Sequence, residues 1–188
     1  MAELVVIENV TLDGVMQAQG RPDEDTRDGF AAGGWAMPYM DAIAMEQATK
    51  GMATSAAMLF GRRTYLDLHG HWPKQTDGNP FTTALNAVPK YVVSRPLTDL
   101  PWQNSTLLRS VDELPSVKER LPGDLVVLGS GELVVSLGAH VDRYVLSIHP
   151  LALGHGRRLR LPAGGFELTE SVTTGSGALI ATYVRTTP

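Results

Sequence analysis

Short apolar runs alternate with stretches of near-helical periodicity along most of this chain, and that alternation predicts an α/β sheet. Leu4-Val5-Val6-Ile7 reads as a first strand, and Thr11-Leu12-Asp13-Gly14 after it has turn chemistry. Behind Pro38, the residues Ile43, Met45, Ala48, Met52 and Ala56 recur at near-helical spacing, which predicts an amphipathic helix over 40–55 with these side chains in the core. Met58-Leu59-Phe60 is a brief buried strand, and Gly61 lets the chain turn into a helix near Arg63-Thr64-Tyr65. Pro89 breaks the chain before a strand at Tyr91-Val92-Val93, and Ser105 to Leu108 reads as another. A short helix follows over 111–121, interrupted or begun by Pro115. Asp124 to Leu128 is a fully buried strand, 131–139 a helix, and Tyr144 to Ile148 a strand. The ending changes character: 166–172 and 179–184, joined by Thr173-Thr174-Gly175-Ser176-Gly177, predict an antiparallel hairpin at the sheet edge. Between Gln17 and Trp35 the chain is rich in Gly, Asp and Arg without periodicity, so a lid or binding loop and a plain surface loop are both open.

Composition narrows the class. The 188 residues, 43% hydrophobic, suit a single domain with a substantial core. A net charge of -4 argues against nucleic acid, since Arg157, Arg158 and Arg160 are the one basic group, and they suit a solvated turn better than a polyanion site. The chain has no cysteine, which excludes disulfides, thiolate catalysis and cysteine-held metal. With no signal-like start and no apolar run of membrane length, a cytoplasmic location is expected, without a membrane partner.

Three phrases carry the candidate chemistry: Gly61-Arg62-Arg63-Thr64, Val92-Val93-Ser94-Arg95 and Val127-Leu128-Gly129-Ser130-Gly131-Glu132-Leu133. Each sets glycine, hydroxyl or guanidinium groups just after an apolar run, at the carboxyl edge of strands where α/β sheets bind ligands. Guanidinium makes bidentate contacts to phosphate, and Thr64 or Ser94 adds a hydroxyl donor, so the set reads as one phosphate-rich cofactor site that favours NADP over NAD. Surface arginines near turns are the plain alternative. A third small residue is wanting where Val134 stands, which excludes a standard Rossmann fingerprint, and a P-loop is excluded by the missing Gly-Lys-Ser/Thr.

In these phrases, together with Thr11 to Gly14, Pro89 to Arg95 and Leu153-Gly154-His155-Gly156-Arg157, the chain resembles the dihydrofolate reductase-like superfamily. Within it, the chain is similar to the branch of the C-terminal reductase domain of bifunctional riboflavin biosynthesis enzymes. The resemblance runs nearly end to end. It implies a three-layer α/β/α fold with a mostly parallel mixed sheet and a C-terminal antiparallel hairpin. It further implies NADPH held by Gly61, Arg62, Thr64, Ser94, Arg95, Gly129, Ser130, Gly131, Glu132 and Leu133, with hydride transfer to a heterocyclic or ribosylamino-pyrimidine substrate. Those bifunctional enzymes also carry a zinc deaminase, which a chain without cysteine cannot supply, so a stand-alone paralogue acting on a pteridine-like, flavin-like or other nitrogen heterocycle is expected.

Folate reductases carry an acid on the helix after the first loop, where this chain offers Asp41 and Glu46; spacing favours Glu46. Asp13 is the other catalytic candidate, or else a turn former with Gly14. His69 and His71 lack carboxylates at metal-ligand spacing, His149 suits a strand end, and His155 between two glycines suits a turn or a phosphate contact. No metal is expected. Trp35 and Trp72 are pocket walls or core. A homodimer is expected through the apolar strand at 144–148. The reading from another class is a nucleotide-binding protein of the same fold without turnover.

Overall fold

The first apolar run extends past its hydrophobic part: β1 spans Leu4–Thr11, which makes Glu8 and Asn9 strand residues. These are the coordinates of a computed structural model, which describes residues 2–76, 78, 80–129 and 131–186. After β1 come α1 (Ala42–Ala53), β2 (Ser55–Gly61), α2 (Arg62–His71), α3 (Pro80–Ala87), β3 (Lys90–Val93) and β4 (Ser105–Leu108). The chain continues with α4 (Leu114–Arg120), β5 (Asp124–Leu128), α5 (Gly131–Leu137), β6 (Arg143–His149), β7 (Phe166–Thr173) and β8 (Leu179–Arg185).

The eight strands form one sheet in the order β4-β3-β2-β5-β1-β6-β8-β7. All pairs from β4 through β6 are parallel, and β6, β8 and β7 pair antiparallel, as the predicted hairpin requires. Strand β6 is hydrogen-bonded on one side to β1 and on the other to β8. With both edges paired, 144–148 is closed to strand sharing with a second copy.

Parallel strands bury both faces, so helices must cover both. On one side Leu4, Val6, Leu125 and Val127 pack with Leu114 and Val117 of α4 and with Leu133, Val134 and Leu137 of α5. On the other, Met58, Phe60 and Val92 pack with Tyr65 of α2, Leu85 of α3 and Trp102. Pro115 sits in the first turn of α4, and a capping box of Ser110 and Glu113 starts the helical segment. Helix α3 is absent from the sequence reading. Its signal is only Phe81 and Leu85, four residues apart in an eight-residue helix.

Helix α1 departs from its expected role. None of its residues is buried, and Met45 is 59% exposed. The helix stands over a cavity of about 290 Å³ that Val5, Ile7 and Val145 line from the sheet and Ala48 and Gly51 from the helix. Its N-terminus is what holds it. Asp41 accepts from the Ala44 amide at 2.9 Å as the cap and from the Ser176 amide in the β7–β8 loop at 2.7 Å. Ser176 in turn donates its hydroxyl to the Tyr39 carbonyl at 2.8 Å.

Replacing Asp41 with alanine therefore releases α1 selectively. Hydrogen exchange is expected to show α1 amides losing protection while those of β1 and β5 keep theirs. Equal protection in both proteins would show that packing, not the cap, anchors the helix.

Candidate functional site

Because β1, β2, β3 and β5 run parallel, their carboxyl ends meet along one edge, and a cleft of about 1460 Å³ opens there. This exceeds the roughly 300 to 1,000 Å³ that one small ligand occupies, so the cleft has room for two ligands side by side. Gly61, Arg62, Arg63 and Thr64 line it from the start of α2, and Gly129, Gly131, Glu132 and Leu133 from the β5–α5 turn. Ser130 lies outside the described residues. Helix α2 has glycine at its N-cap, with no side-chain cap hydrogen bond, and among the described residues neither Arg62 nor Arg63 meets an acidic partner. A ten-residue helix with no side-chain cap at its start and two guanidinium groups that meet no acid among the described residues is suited to an anion. Gly129 has φ +73°, a left-handed conformation that glycine adopts without strain, and a Cβ on Gly131 would meet the Met16 sulfur at 2.8 Å.

Ser94 and Arg95 are not brought to the cleft wall. Ser94 is buried in a turn, its hydroxyl accepting from the Leu97 amide at 3.2 Å, and the Arg109 guanidinium donates to the carbonyls of both residues. Arg95 is exposed two residues beyond Val93, the register partner of Gly61, so it leaves the same sheet edge one strand away from Arg62.

The two catalytic candidates also stand elsewhere. Asp13 lies outside the cleft lining and staples the 151–154 segment to the end of β1, accepting from the Leu153 and Gly154 amides, at 3.2 and 2.9 Å, and from the Thr11 hydroxyl. These donors, the Thr11 hydroxyl foremost, hold its carboxyl well below the usual carboxylate range. Glu46 is exposed on the outer face of α1, where it pairs with Lys50 at 2.8 Å and has its pKa lowered by that partner. A carboxylate committed to a turn and one facing solvent are both poorly placed to serve a cleft they do not line.

Of the acids that line the cleft, Glu8 stands apart, and apolarity hides it in the sequence because the apolar run of β1 stops at Ile7. It is fully buried, neither carboxyl oxygen has a hydrogen-bond partner among the described residues, and burial raises its pKa to about 8. The nearby Glu24 charge adds to the shift, and the Gly129 backbone N–H, which lies near the carboxyl but outside hydrogen-bond geometry, offsets it in part. An acidic residue at the start of the carboxyl half of β1 was the available signal.

The segment 17–36 crosses the cleft mouth in an ordered form. Gln17, buried, is its hub: the side-chain amide donates to the carbonyls of Asp25 and Arg27, both at 3.1 Å, while its Oε1 accepts from the Arg157 amide at 2.9 Å. Trp35 donates its indole N–H to the Gln17 carbonyl at 2.7 Å, so it braces this segment, whereas Trp72 lines the cleft. Arg21 reaches across to Asp67 of α2 at 2.7 Å. Of the arginine trio, Arg157 pairs with Asp28 and Arg158 donates to the Asp13 carbonyl, so both serve the loop structure. His69 stacks on Tyr65, His155 lies against Phe30, and His149 sits between Trp35 and Tyr39 with Nε2 2.8 Å from Asn9 Oδ1. Among the described residues no cluster of His, Asp and Glu could hold a metal ion, and no helix is long and apolar enough to cross a membrane.

Glu8 makes stability depend on pH in a defined direction. A carboxyl whose pKa is raised on folding costs nothing below its unfolded value, near 4.5, and its cost grows as pH rises until the folded group ionises near 8. The Glu8→Gln variant is expected to lose that downward slope and to exceed the parent in stability by on the order of a few kcal/mol at pH 8. Urea unfolding at pH 5 and pH 8 checks this, and identical slopes in the two proteins would refute it.

The scan of family models matches the RibD C-terminal domain over residues 3–180. No curated protein sequence matches the chain. Among solved structures, a protein described as a riboflavin biosynthesis protein of Shewanella sp. PV-4 is similar at TM-score 0.64 and 18% identity, covering 100% of both chains. Dihydrofolate reductase from Enterococcus faecalis, complexed with NADP(H) and RAB-propyl, is similar at TM-score 0.64 and 15% identity, covering 98% of this chain and 97% of that one. At these identities the two structures show the shared dihydrofolate reductase-like fold, and with the family match spanning nearly all of the sequence, the chain belongs to the RibD C-terminal domain family.

Proposed function

We propose that this protein is an NADPH-dependent reductase that delivers a hydride to a small heterocyclic or ribosylamino-pyrimidine substrate, of the kind reduced in riboflavin biosynthesis. The observation that carries the reading is the pair of guanidinium groups, Arg62 and Arg63, that meet no acid among the described residues and stand at the glycine-capped N-terminus of α2 in a cleft sized for two ligands. Membership of the RibD C-terminal domain family supports it, as does the similarity to a dihydrofolate reductase complexed with NADP(H).

The residues present fit such a cofactor. Arg62 and Arg63, with Arg95 one strand away, would hold a ribose 2′-phosphate, and the Thr64 hydroxyl adds a donor. Gly129 and Gly131 leave their backbone bare for a pyrophosphate, with Glu132 and Leu133 flanking the turn. Ser94 would act through its turn, by presenting Arg95. When bound, the dihydronicotinamide supplies a hydride, and the chain's task is orientation and exclusion of water. The Gln17 hub and the Arg21–Asp67 pair close the cleft mouth, which serves that exclusion. The end lined by Ile7, Asn9 and Met40 is left for the substrate.

A protein that binds NADP(H) without turnover is the second reading, favoured by the removal of Asp13 and Glu46 from the cleft. Glu8 inside it weighs against that reading.

Thermal shift with each nucleotide tests the cofactor. The parent is expected to gain stability with NADPH well above the gain with NADH. Arg62→Ala and Arg95→Ala are each expected to weaken NADPH about tenfold while leaving NADH nearly unchanged. Equal losses for both nucleotides would remove the 2′-phosphate role, and no stabilisation of the parent by either would remove the cofactor reading itself.

A further inference from the structure

Among the described residues, six acidic side chains line the cleft, and five of them have partners. Asp23 and Asp67 pair with Arg21, Asp25 pairs with Arg27, and Glu132 faces Arg157 and Arg160. Glu24 accepts from the Gly20 and Arg21 amides. Glu8 is the exception: fully buried, with no hydrogen-bond partner for either oxygen among the described residues.

A buried carboxyl without donors destabilises the fold, and groups kept at such a cost belong to function more often than to architecture. The packing around Glu8 is ordinary apolar core. Its register partner on β6 is Leu146, and Val6, two residues back on the same face, is buried in the core cluster. Nothing in the strand pairing asks for a carboxylate here. Of the charged groups facing it from the 17–36 segment, the β5–α5 turn and the 156–160 segment, Glu24 is the one whose field acts on it, and that field favours the neutral acid. A neutral carboxyl offers a ligand one O–H donor, in contrast to the acceptor-only carboxylates elsewhere in the cleft.

We propose that Glu8 is the proton-holding group of this cleft and that it presents its O–H to an acceptor atom, a ring nitrogen or a carbonyl oxygen, of the compound being reduced. This rests on the reductase reading. The balance is simple. The carbon of a C=N or C=O bond gains a hydride and the two electrons that come with it from the dihydronicotinamide, which is oxidised. The adjacent nitrogen or oxygen takes the proton as the Glu8 O–H bond breaks and the new N–H or O–H bond forms. Glu8 is left as a buried carboxylate and recovers its proton from water. The acid thus stands on a central strand, where the sheet fixes its position, rather than on the helix after the first loop.

Infrared difference spectra and kinetics of the parent, Glu8→Gln and Glu8→Asp test the proposal. The parent is expected to show a protonated-carboxyl C=O stretch at pH 6 that disappears as pH passes about 8, and Glu8→Gln is expected to lack it. Absence of that band in the parent at pH 6, or its persistence in Glu8→Gln, overturns the proposal. On a panel of pteridines, flavins and ribosylamino-pyrimidines, NADPH oxidation at pH 7 is expected to fall about a hundredfold or more in kcat for Glu8→Gln. NADPH affinity should stay within about twofold, the alkaline limb of the pH profile should vanish, and Glu8→Asp should recover part of the rate. Unchanged kcat, or loss of NADPH affinity in step with kcat, overturns the role. If the parent binds NADPH and oxidises it with no compound of the panel, proton delivery is overturned and the binding-only reading stands. If the parent fails to bind NADPH, the reductase reading falls by itself, while the infrared band still reports whether Glu8 holds a proton.

Discussion

Parallel pairing of β5 with both β1 and β2 is the constraint from which the rest of the molecule follows. Parallel neighbours put their carboxyl ends at the same edge and need crossovers long enough to carry helices, so turns that begin helices accumulate there. Gly61 with Arg62 and Leu128 with Gly129 are two products of that one rule. The cleft is where they converge, and the antiparallel β7–β8 pair sits beyond β6, away from these two turns.

This explains what could be read in the sequence. Strand β5 and its turn, the hairpin at the end, and the α2 start announce themselves through apolar runs ended by glycine, because a buried parallel strand admits little else. The glycine and arginine phrases were legible for the same reason. Helix α3 was not, since eight residues carry too short a period. The acid was missed because reading strands by apolarity drops the polar residue that a functional strand carries near its end. Ser94 and Arg95 show a different limit, since sequence places them at the right edge but cannot tell that Arg109 ties their carbonyls into a turn.

The two sides of the cleft have different mechanical characters. The β5 side is anchored in the core by Leu133, Val134 and Leu137. The opposite mouth is held by discrete polar ties, Gln17 to three backbone groups and Arg21 to Asp67, which can be exchanged for water at little cost. A rigid platform with a polar clasp lets ligands enter without disturbing the sheet.

Helix α1 extends that division into evolutionary terms. A helix that buries none of its side chains can change most of them without opening a hole in the core, and the space beneath it can be enlarged or filled at small thermodynamic risk. The helix over this smaller cavity is therefore the part of this fold freest to vary. Descendants of one such scaffold can diverge in what they accept while the sheet and its nucleotide-facing turns stay as they are.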